Sequence, residues 1–229
     1  RALGFYRTPK HPRTMITLTN EDNMDLMSRY PDNYFELAIV DPPYGIGVDG
    51  DINIRKPDRK STWNKKEKYT QKNWDNEPPT KEYFEELKRV SKNQIIWGGN
   101  YFTDFLKPSK CWIFWNKLFD KTFNFSHGEL AWSSFNSQLK MFTKSSKAET
   151  RGGKDRIHPT QKPVKLYEWL LINYANEGDK ILDTHLGSGS IAIAAHNLGF
   201  DLVGCELDKE YYEAACKRLK QHQAQLTMF

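Results

Sequence analysis

Asp41-Pro42-Pro43-Tyr44 gathers the side chains in this sequence best suited to chemistry. They follow Leu37-Ala38-Ile39-Val40, an apolar run that reads as a short buried strand. Neither proline can donate to a sheet ladder, so the strand is predicted to stop there. Open α/β sheets place their ligands at the carboxyl ends of strands, where this tetrapeptide would stand. The Asp41 carboxylate and the Pro42 carbonyl are both acceptors, able to hold the two hydrogens of an exocyclic amine on a heterocycle. Such an amine is a poor nucleophile, because its lone pair is delocalised into the ring. Drawing it toward tetrahedral geometry localises the lone pair, and a nearby carboxylate stabilises the positive charge that develops on nitrogen. Tyr44 offers a face on which a flat base can stack. The alternative is a proline-terminated strand with an incidental Asp and Tyr, and four residues alone do not separate the two.

A second stretch bears on that choice. Ile181-Leu182-Asp183-Thr184-His185-Leu186-Gly187-Ser188-Gly189-Ser190, followed by Ile191-Ala192-Ile193-Ala194-Ala195, reads as a strand, a glycine-rich turn and a helix of small apolar residues. Gly187 and Gly189 let the backbone bend sharply and approach a ligand where a Cβ would intrude. Leu202-Val203-Gly204-Cys205 reads as the next strand and ends in Glu206. An acidic residue at that tip accepts hydrogen bonds from ribose hydroxyls in nucleotide-type α/β folds. The pattern points to an adenosine-containing cofactor. It is not a phosphate-cradling loop, since no Gly-Lys-Ser/Thr follows.

Together these residues resemble the DNA amino-methyltransferases that use S-adenosylmethionine. Asp41-Pro42-Pro43-Tyr44 looks like their catalytic motif, and residues 183–190 look like their cofactor loop. Catalytic motif first and cofactor loop last is the permuted order of the β class. His158-Pro159-Thr160-Gln161-Lys162-Pro163 resembles the segment that precedes the cofactor loop in that class. Asn20-Glu21-Asp22 resembles the site whose Asp faces the cofactor's adenine. The resemblance runs from about residue 15 to residue 219.

The resemblance implies direct transfer of a methyl group to a flipped base, without a covalent enzyme intermediate. The implied cofactor site comprises Asp22, Thr160, Lys162, Asp183, Thr184, His185, Gly187, Ser188, Gly189 and Glu206. Thr160 and Lys162 are expected near the methionine end. Thr184 and His185 stand where the family more often has Pro and Phe, so His185 is either a cofactor contact or a buried, hydrogen-bonded histidine. Asp rather than Ser at position 41 resembles the adenine-N6 enzymes more than the cytosine-N4 enzymes. A cytosine-N4 enzyme is the first alternative, and an RNA or protein methyltransferase the second. The resemblance also implies a place in restriction-modification, with a homodimer as a candidate assembly.

The whole chain sets bounds on these readings. Its 229 residues suit a single α/β domain with a sizeable core. No stretch approaches the roughly 20 apolar residues of a membrane span, and the basic amino end lacks the apolar core of a signal peptide. Cys111, Cys205 and Cys216 are odd in number and lack metal-ligand spacing, which points to a reducing cytoplasm and to no metal. A bacterial or phage-infected cell is the expected setting. No Pro-Cys pair supplies the thiolate that ring-carbon methylation of cytosine needs.

The net charge of +5 is unevenly spread. Residues 55–72 hold eight basic and two acidic side chains, and residues 144–165 hold seven and two. Such concentration is the footprint of a polyanion-binding face, here DNA, although charge runs are often no more than solvated loops. The expected phosphate contacts are Arg55, Lys56, Arg59, Lys60, Lys65, Lys66, Lys68 and Lys72, then Lys147, Arg151, Lys154 and Arg156.

The elements that must position these residues follow from periodicity and punctuation. Strands are predicted at 15–18, 35–40, 94–97, 181–183 and 202–205, and an antiparallel edge pair at 111–115 and 129–132. The expected fold is doubly wound and Rossmann-like, with a mostly parallel seven-stranded sheet in circularly permuted order. A short helix is expected at 23–29. Thr80 is read as the cap of a helix with Tyr83, Phe84, Leu87 and Val90 on one face. Pro163 opens another, and Asp208 caps the last. Residues 45–79 form a long basic loop, and 135–157 are a short candidate target-recognition insert.

Overall fold

A computed structural model describes residues 14–47, 75, 77–118, 126–145 and 156–226. Its elements, in chain order, are β1 (Ile16–Thr19), α1 (Asn23–Ser28), β2 (Phe35–Val40), α2 (Lys81–Val90), β3 (Ser91–Trp97), β4 (Trp112–Asn116), β5 (Gly128–Ser133), β6 (Lys140–Thr143), α3 (Val164–Tyr174), β7 (Lys180–Asp183), α4 (Ser190–Leu198), β8 (Asp201–Cys205) and α5 (Lys209–Leu226). The described strands make one sheet in the order β1-β8-β7-β2-β3-β5-β4-β6.

The register of β2 against β7 decides where function can sit. The two pair in parallel, with Leu37 opposite Ile181 and Ala38 opposite Leu182. From β7 the chain crosses through α4 to β8 on one side; from β2 it crosses through α2 to β3 on the other. Right-handed crossovers leaving neighbouring strands in opposite directions deposit their helices on opposite faces. The seam between β2 and β7 is therefore a topological switch point, and the crevice at its carboxyl end is where such sheets bind ligands.

Strand alternation divides the core accordingly. Leu37, Ile39, Ile95 and Ile181 face one cluster with Leu166, Leu170 and Leu171 of α3 and Ile191 and Ala194 of α4. Ala38, Val40, Ile96 and Leu182 face another, with Leu26 and Met27 of α1 and Phe84 and Leu87 of α2. α2 buries Tyr83, Phe84, Leu87 and Val90, at roughly 1.5–3 kcal/mol for each large apolar side chain. Asp208 caps α5 as expected, its Oδ1 accepting from Glu210 N at 2.9 Å and Tyr211 N at 3.0 Å. Thr80 stands at the N-cap of α2 but makes no side-chain capping bond.

The sheet departs from expectation at one end. It has eight strands among the described residues rather than seven, and the antiparallel pair β4–β5 is interior, not the edge. The extra strand is β6, which pairs in parallel with β4 and comes from the interval expected to be a recognition insert. Its four residues, Lys140-Met141-Phe142-Thr143, alternate between half-buried and exposed positions. With so short a stretch and an exposed Met141, the strand is visible only through its ladder with β4. No described helix is long and apolar enough to cross a membrane.

Candidate active site

The two prolines end β2 at the switch point, and Asp41 and Tyr44 follow at its tip. The Tyr44 hydroxyl donates to Asp41 Oδ1 at 2.8 Å, and the Lys162 ammonium pairs with Asp41 Oδ2. Each carboxylate oxygen keeps a second lone pair for a substrate. Asp75, the buried residue that fixes this turn, lies within the stretch expected to be a basic loop. Its Oδ1 accepts from Tyr44 N at 2.7 Å and Gly45 N at 3.0 Å. The Tyr44 ring stacks on that of Tyr101, with centroids 5.0 Å apart and planes 16° from parallel. Gly98 makes room for it: its φ is +69°, and a Cβ there would lie 2.2 Å from Tyr44 Cε1.

At the tip of β7, Asp183 is buried and its Oδ1 accepts from His185 N at 3.0 Å. Leu186 N donates to Cys205 O at 2.9 Å, which ties the glycine turn to β8. Gly187 N then donates to Glu206 Oε2 at 2.8 Å, while Glu206 Oε1 accepts from Asp208 N at 3.0 Å. Gly187 takes a φ of +51°, accessible to a residue without a Cβ. The Pro163 segment is locked to α4 by Ser190 Oγ, which donates to Lys162 O at 2.7 Å.

Between these two tips lies a cavity of about 240 Å³. Of the residues expected in the site, Asp41, Pro43, Thr160, Lys162, Thr184, His185, Gly187, Ser188 and Glu206 line it. Pro42, Tyr44, Asp183 and Gly189 are not part of that lining. A Cβ on Gly189 would meet Ala215 of α5 at 3.0 Å, so this glycine serves helix packing rather than the cavity. Asp22 is also absent from the wall, because its Oδ1 caps α1 by accepting from Met24 N at 2.7 Å; its neighbours Glu21 and Asn23 line the cavity instead. His158, Tyr167 and Tyr211 complete it, with His158 packed edge-on against Tyr211 at 4.4 Å. His158 belongs to the segment already matched in sequence, whereas only the third dimension reveals Tyr167 and Tyr211, which in sequence look like ordinary helix residues.

Lys162 does more than its sequence position suggests. Its ammonium pairs with both Asp41 and Glu129, the latter at 3.0 Å, and lies 5.2 Å from the centre of the Trp97 ring. Arg156, the one expected phosphate contact within the described residues, donates to Gln161 O at 3.3 Å. The other eleven basic positions lie outside the described residues. No cluster of three or more metal-ligating side chains occurs among the described residues.

Burial and charge set the protonation states. Burial pushes Asp183 up to about 8, with the Asp41 and Glu206 carboxylates adding to the effect. Asp41 is raised by desolvation, against the pull of Lys162 and with Glu129 pushing the same way as burial. Desolvation raises Glu206 too, against the backbone hydrogen bonds it accepts. His185 is driven down to about 3 by burial and so stays neutral. Its Nε2 faces the Asn23 amide nitrogen at 3.2 Å, a donor, so the ring proton sits on Nδ1 and points to Thr184 Oγ1 at 3.0 Å. His185 is thus both hydrogen-bonded and on the cavity wall.

Residues 109–217 match the family model N6_N4_Mtase, described as DNA methylase. The fold is the α/β methyltransferase fold. The M1.HpyAVI–SAM complex superposes with a TM-score of 0.59 at 21% identity, covering 90% of this chain and 100% of that one. The PvuII DNA methyltransferase, titled cytosine-N4-specific, superposes with a TM-score of 0.58 at 12% identity, covering 93% of each chain. In sequence, the type II methyltransferase M2.DpnII of Streptococcus pneumoniae is 42% identical over 76 residues. That stretch is 33% of this chain and 27% of the relative, so the chain matches about a quarter of that relative's length.

Proposed function

We propose that this chain is a DNA adenine-N6 methyltransferase of the permuted β class, dependent on S-adenosylmethionine. The observation that carries the reading is that Asp41, after β2, and Gly187 with Glu206, after β7 and β8, line one cavity at the switch point. The donor set fits an adenosine bearing a cationic sulfonium. Glu206 keeps lone pairs for a ribose diol beyond its two backbone bonds, Gly187 brings bare backbone to the wall, and carboxylates surround the space. His158, Thr160 and Tyr211 would complete the hold. When bound, the cofactor supplies an electrophilic methyl group.

The chain's own residues act on the amine. Asp41 accepts one of its N–H hydrogens through a lone pair left by Tyr44 and Lys162, and the Pro42 carbonyl accepts the other. This double acceptance turns the nitrogen lone pair out of conjugation and aims it along one line, so orientation supplies much of the barrier reduction. As nitrogen becomes cationic, the Asp41 carboxylate stabilises it. Tyr44, held by its hydroxyl on Asp41 and stacked by Tyr101, gives the flipped base an aromatic platform whose position is tied to the acceptor.

DNA as the substrate is supported by the DNA methylase match over residues 109–217 and by the basic stretches at 55–72 and 144–165. Asp rather than Ser at position 41 favours adenine. The test is incubation with isotopically labelled S-adenosylmethionine and duplex DNA of mixed sequence, followed by mass spectrometry of the nucleosides. N6-methyl-2′-deoxyadenosine is the expected product. N4-methyl-2′-deoxycytidine would replace the base assignment, and unlabelled DNA would overturn the reading.

A further inference from the structure

Glu129 carries no signal in the sequence, standing on β5 in an ordinary strand. In the fold its carboxylate bridges two cations. Lys117 Nζ lies 2.5 Å from Oε1, and Lys162 Nζ lies 3.0 Å from Oε2. Lys162 then reaches across to Asp41. Four charges therefore alternate in a row, Asp41, Lys162, Glu129, Lys117, with the Lys162 side chain 1% exposed and the two carboxylates 16% and 20%. The row is flanked by indole faces, with Lys162 5.2 Å from the Trp97 ring centre and Lys117 5.2 Å from that of Trp115. Isolating an ammonium this far from water needs compensation that one carboxylate supplies incompletely.

We propose that Glu129 is a positioning residue for Asp41, holding the Lys162 ammonium from behind so that Asp41 shares its counter-ion instead of owning it. The inference rests on the reading above, in which Asp41 accepts the amine hydrogen. A carboxylate neutralised by a counter-ion of its own is a weaker acceptor and a poorer stabiliser of a cationic nitrogen. Glu129 has a second cation in Lys117 and is the firmly ionised member, drawn down to about 2 by Lys162 and Lys117 against its desolvation. Among the described residues Asp41 pairs with Lys162 and the Tyr44 hydroxyl. Among the described residues, Tyr167 of α3 and Asp183 of β7 also act on this row; both stay protonated near neutrality and leave the balance to the four charges.

The test uses two variants of the full chain whose effects should have opposite signs. Glu129→Gln keeps the side chain's shape and removes its charge, so Lys162 falls wholly to Asp41. The acid limb of kcat/KM against pH is then expected to move down by about one unit or more, and kcat to fall roughly 3- to 10-fold. Lys117→Met releases Glu129 to lean on Lys162, so the limb should move up. Glu129→Asp should return most of the wild-type profile. S-adenosylmethionine binding, measured by calorimetry, should be unchanged in all three. Titration of the Asp41 carboxyl by carbon-13 NMR gives the same two signs without any turnover. A purely structural Glu129 predicts lower unfolding midpoints with neither limb nor titration displaced, and that outcome overturns the proposal. If DNA is never methylated but the Asp41 titration moves as stated, the proposed function fails while the coupling stands.

Discussion

The Asp41 carboxylate and the Lys162 ammonium are separated by 121 residues and form an ion pair at the switch point of the sheet. Lys162 arrives there because its backbone carbonyl is pinned by Ser190 at the start of α4, and Asp41 because β2 pairs with β7. The pair thus joins the tip of one strand to the segment that packs against the other. It also makes the site a place where charge and stability are coupled.

Lys162→Met removes the shared cation and leaves Asp41 and Glu129 facing each other without it. Removing one partner of a buried pair costs about 3–5 kcal/mol, and some water access to these carboxylates favours the lower end. Urea unfolding followed by circular dichroism should show a lower midpoint with an unchanged slope. An unaltered midpoint would mean the pair contributes nothing to the fold.

Asp41→Ala is expected to reduce methyl transfer by at least about 100-fold, the usual loss when a preorganised charge partner is removed from the transition state. S-adenosylmethionine binding should persist, since Gly187 and Glu206 stand on other strand tips. Retained activity would falsify the role given to this carboxylate.

Gly98→Ala tests the platform rather than the acceptor. At φ +69° an L-residue costs roughly 1–2 kcal/mol, and the new Cβ would sit 2.2 Å from Tyr44 Cε1. The ring must therefore shift, taking with it the hydroxyl bonded to Asp41. A drop in kcat larger than the modest fall in unfolding midpoint is expected. Equal, small effects on both would show that the position of Tyr44 is unimportant.

Asp183→Asn should change the pH dependence of stability. In the folded chain Asp183 holds its proton up to about 8, against an ordinary 3.8, so between those values the folded state binds more protons than the unfolded one. Stability therefore falls as pH rises through this window, by up to about 1.4 kcal/mol per unit. Neutral His185 works in the opposite sense, because its folded value of about 3 lies below its ordinary 6.5, but only below pH 6.5. From pH 6.5 to 8 the Asp183 effect is unopposed by His185. The wild type should lose stability across that interval and Asp183→Asn should lose distinctly less; parallel curves would show that Asp183 is already ionised.

Neutralising Lys65, Lys66 and Lys68 together should weaken DNA binding and flatten its salt dependence by roughly one unit of slope for each phosphate no longer paired with a lysine. Fluorescence anisotropy over a salt series reads this directly. A slope equal to the wild type's would remove this stretch from the DNA-binding face.

Much of the sheet was legible from local pattern, because a buried parallel strand needs a continuous apolar run, and residues 37–40 supply one between Glu36 and Asp41. β6 was not, since an edge strand of four alternating residues carries no such run. The site divides in the same way. Asp41, Gly187 and Glu206 announce themselves because proline and glycine punctuate strand ends. Asp75, Glu129 and Tyr101 do not, because an acid in a basic stretch, an acid on a strand and a tyrosine in a turn have no distinguishing neighbours.

By itself, then, the chain's order of residues determined that two strands end in distinctive turns, one acidic and aromatic, the other glycine-rich. Backbone stereochemistry acts over a few residues, and those residues are contiguous. Only the tertiary structure decided that the turns share a cavity, that Gly189 serves helix packing, and that Lys162 is divided between two carboxylates. Strand pairing and charge pairing act through space, and their partners here lie tens to more than a hundred residues apart in sequence.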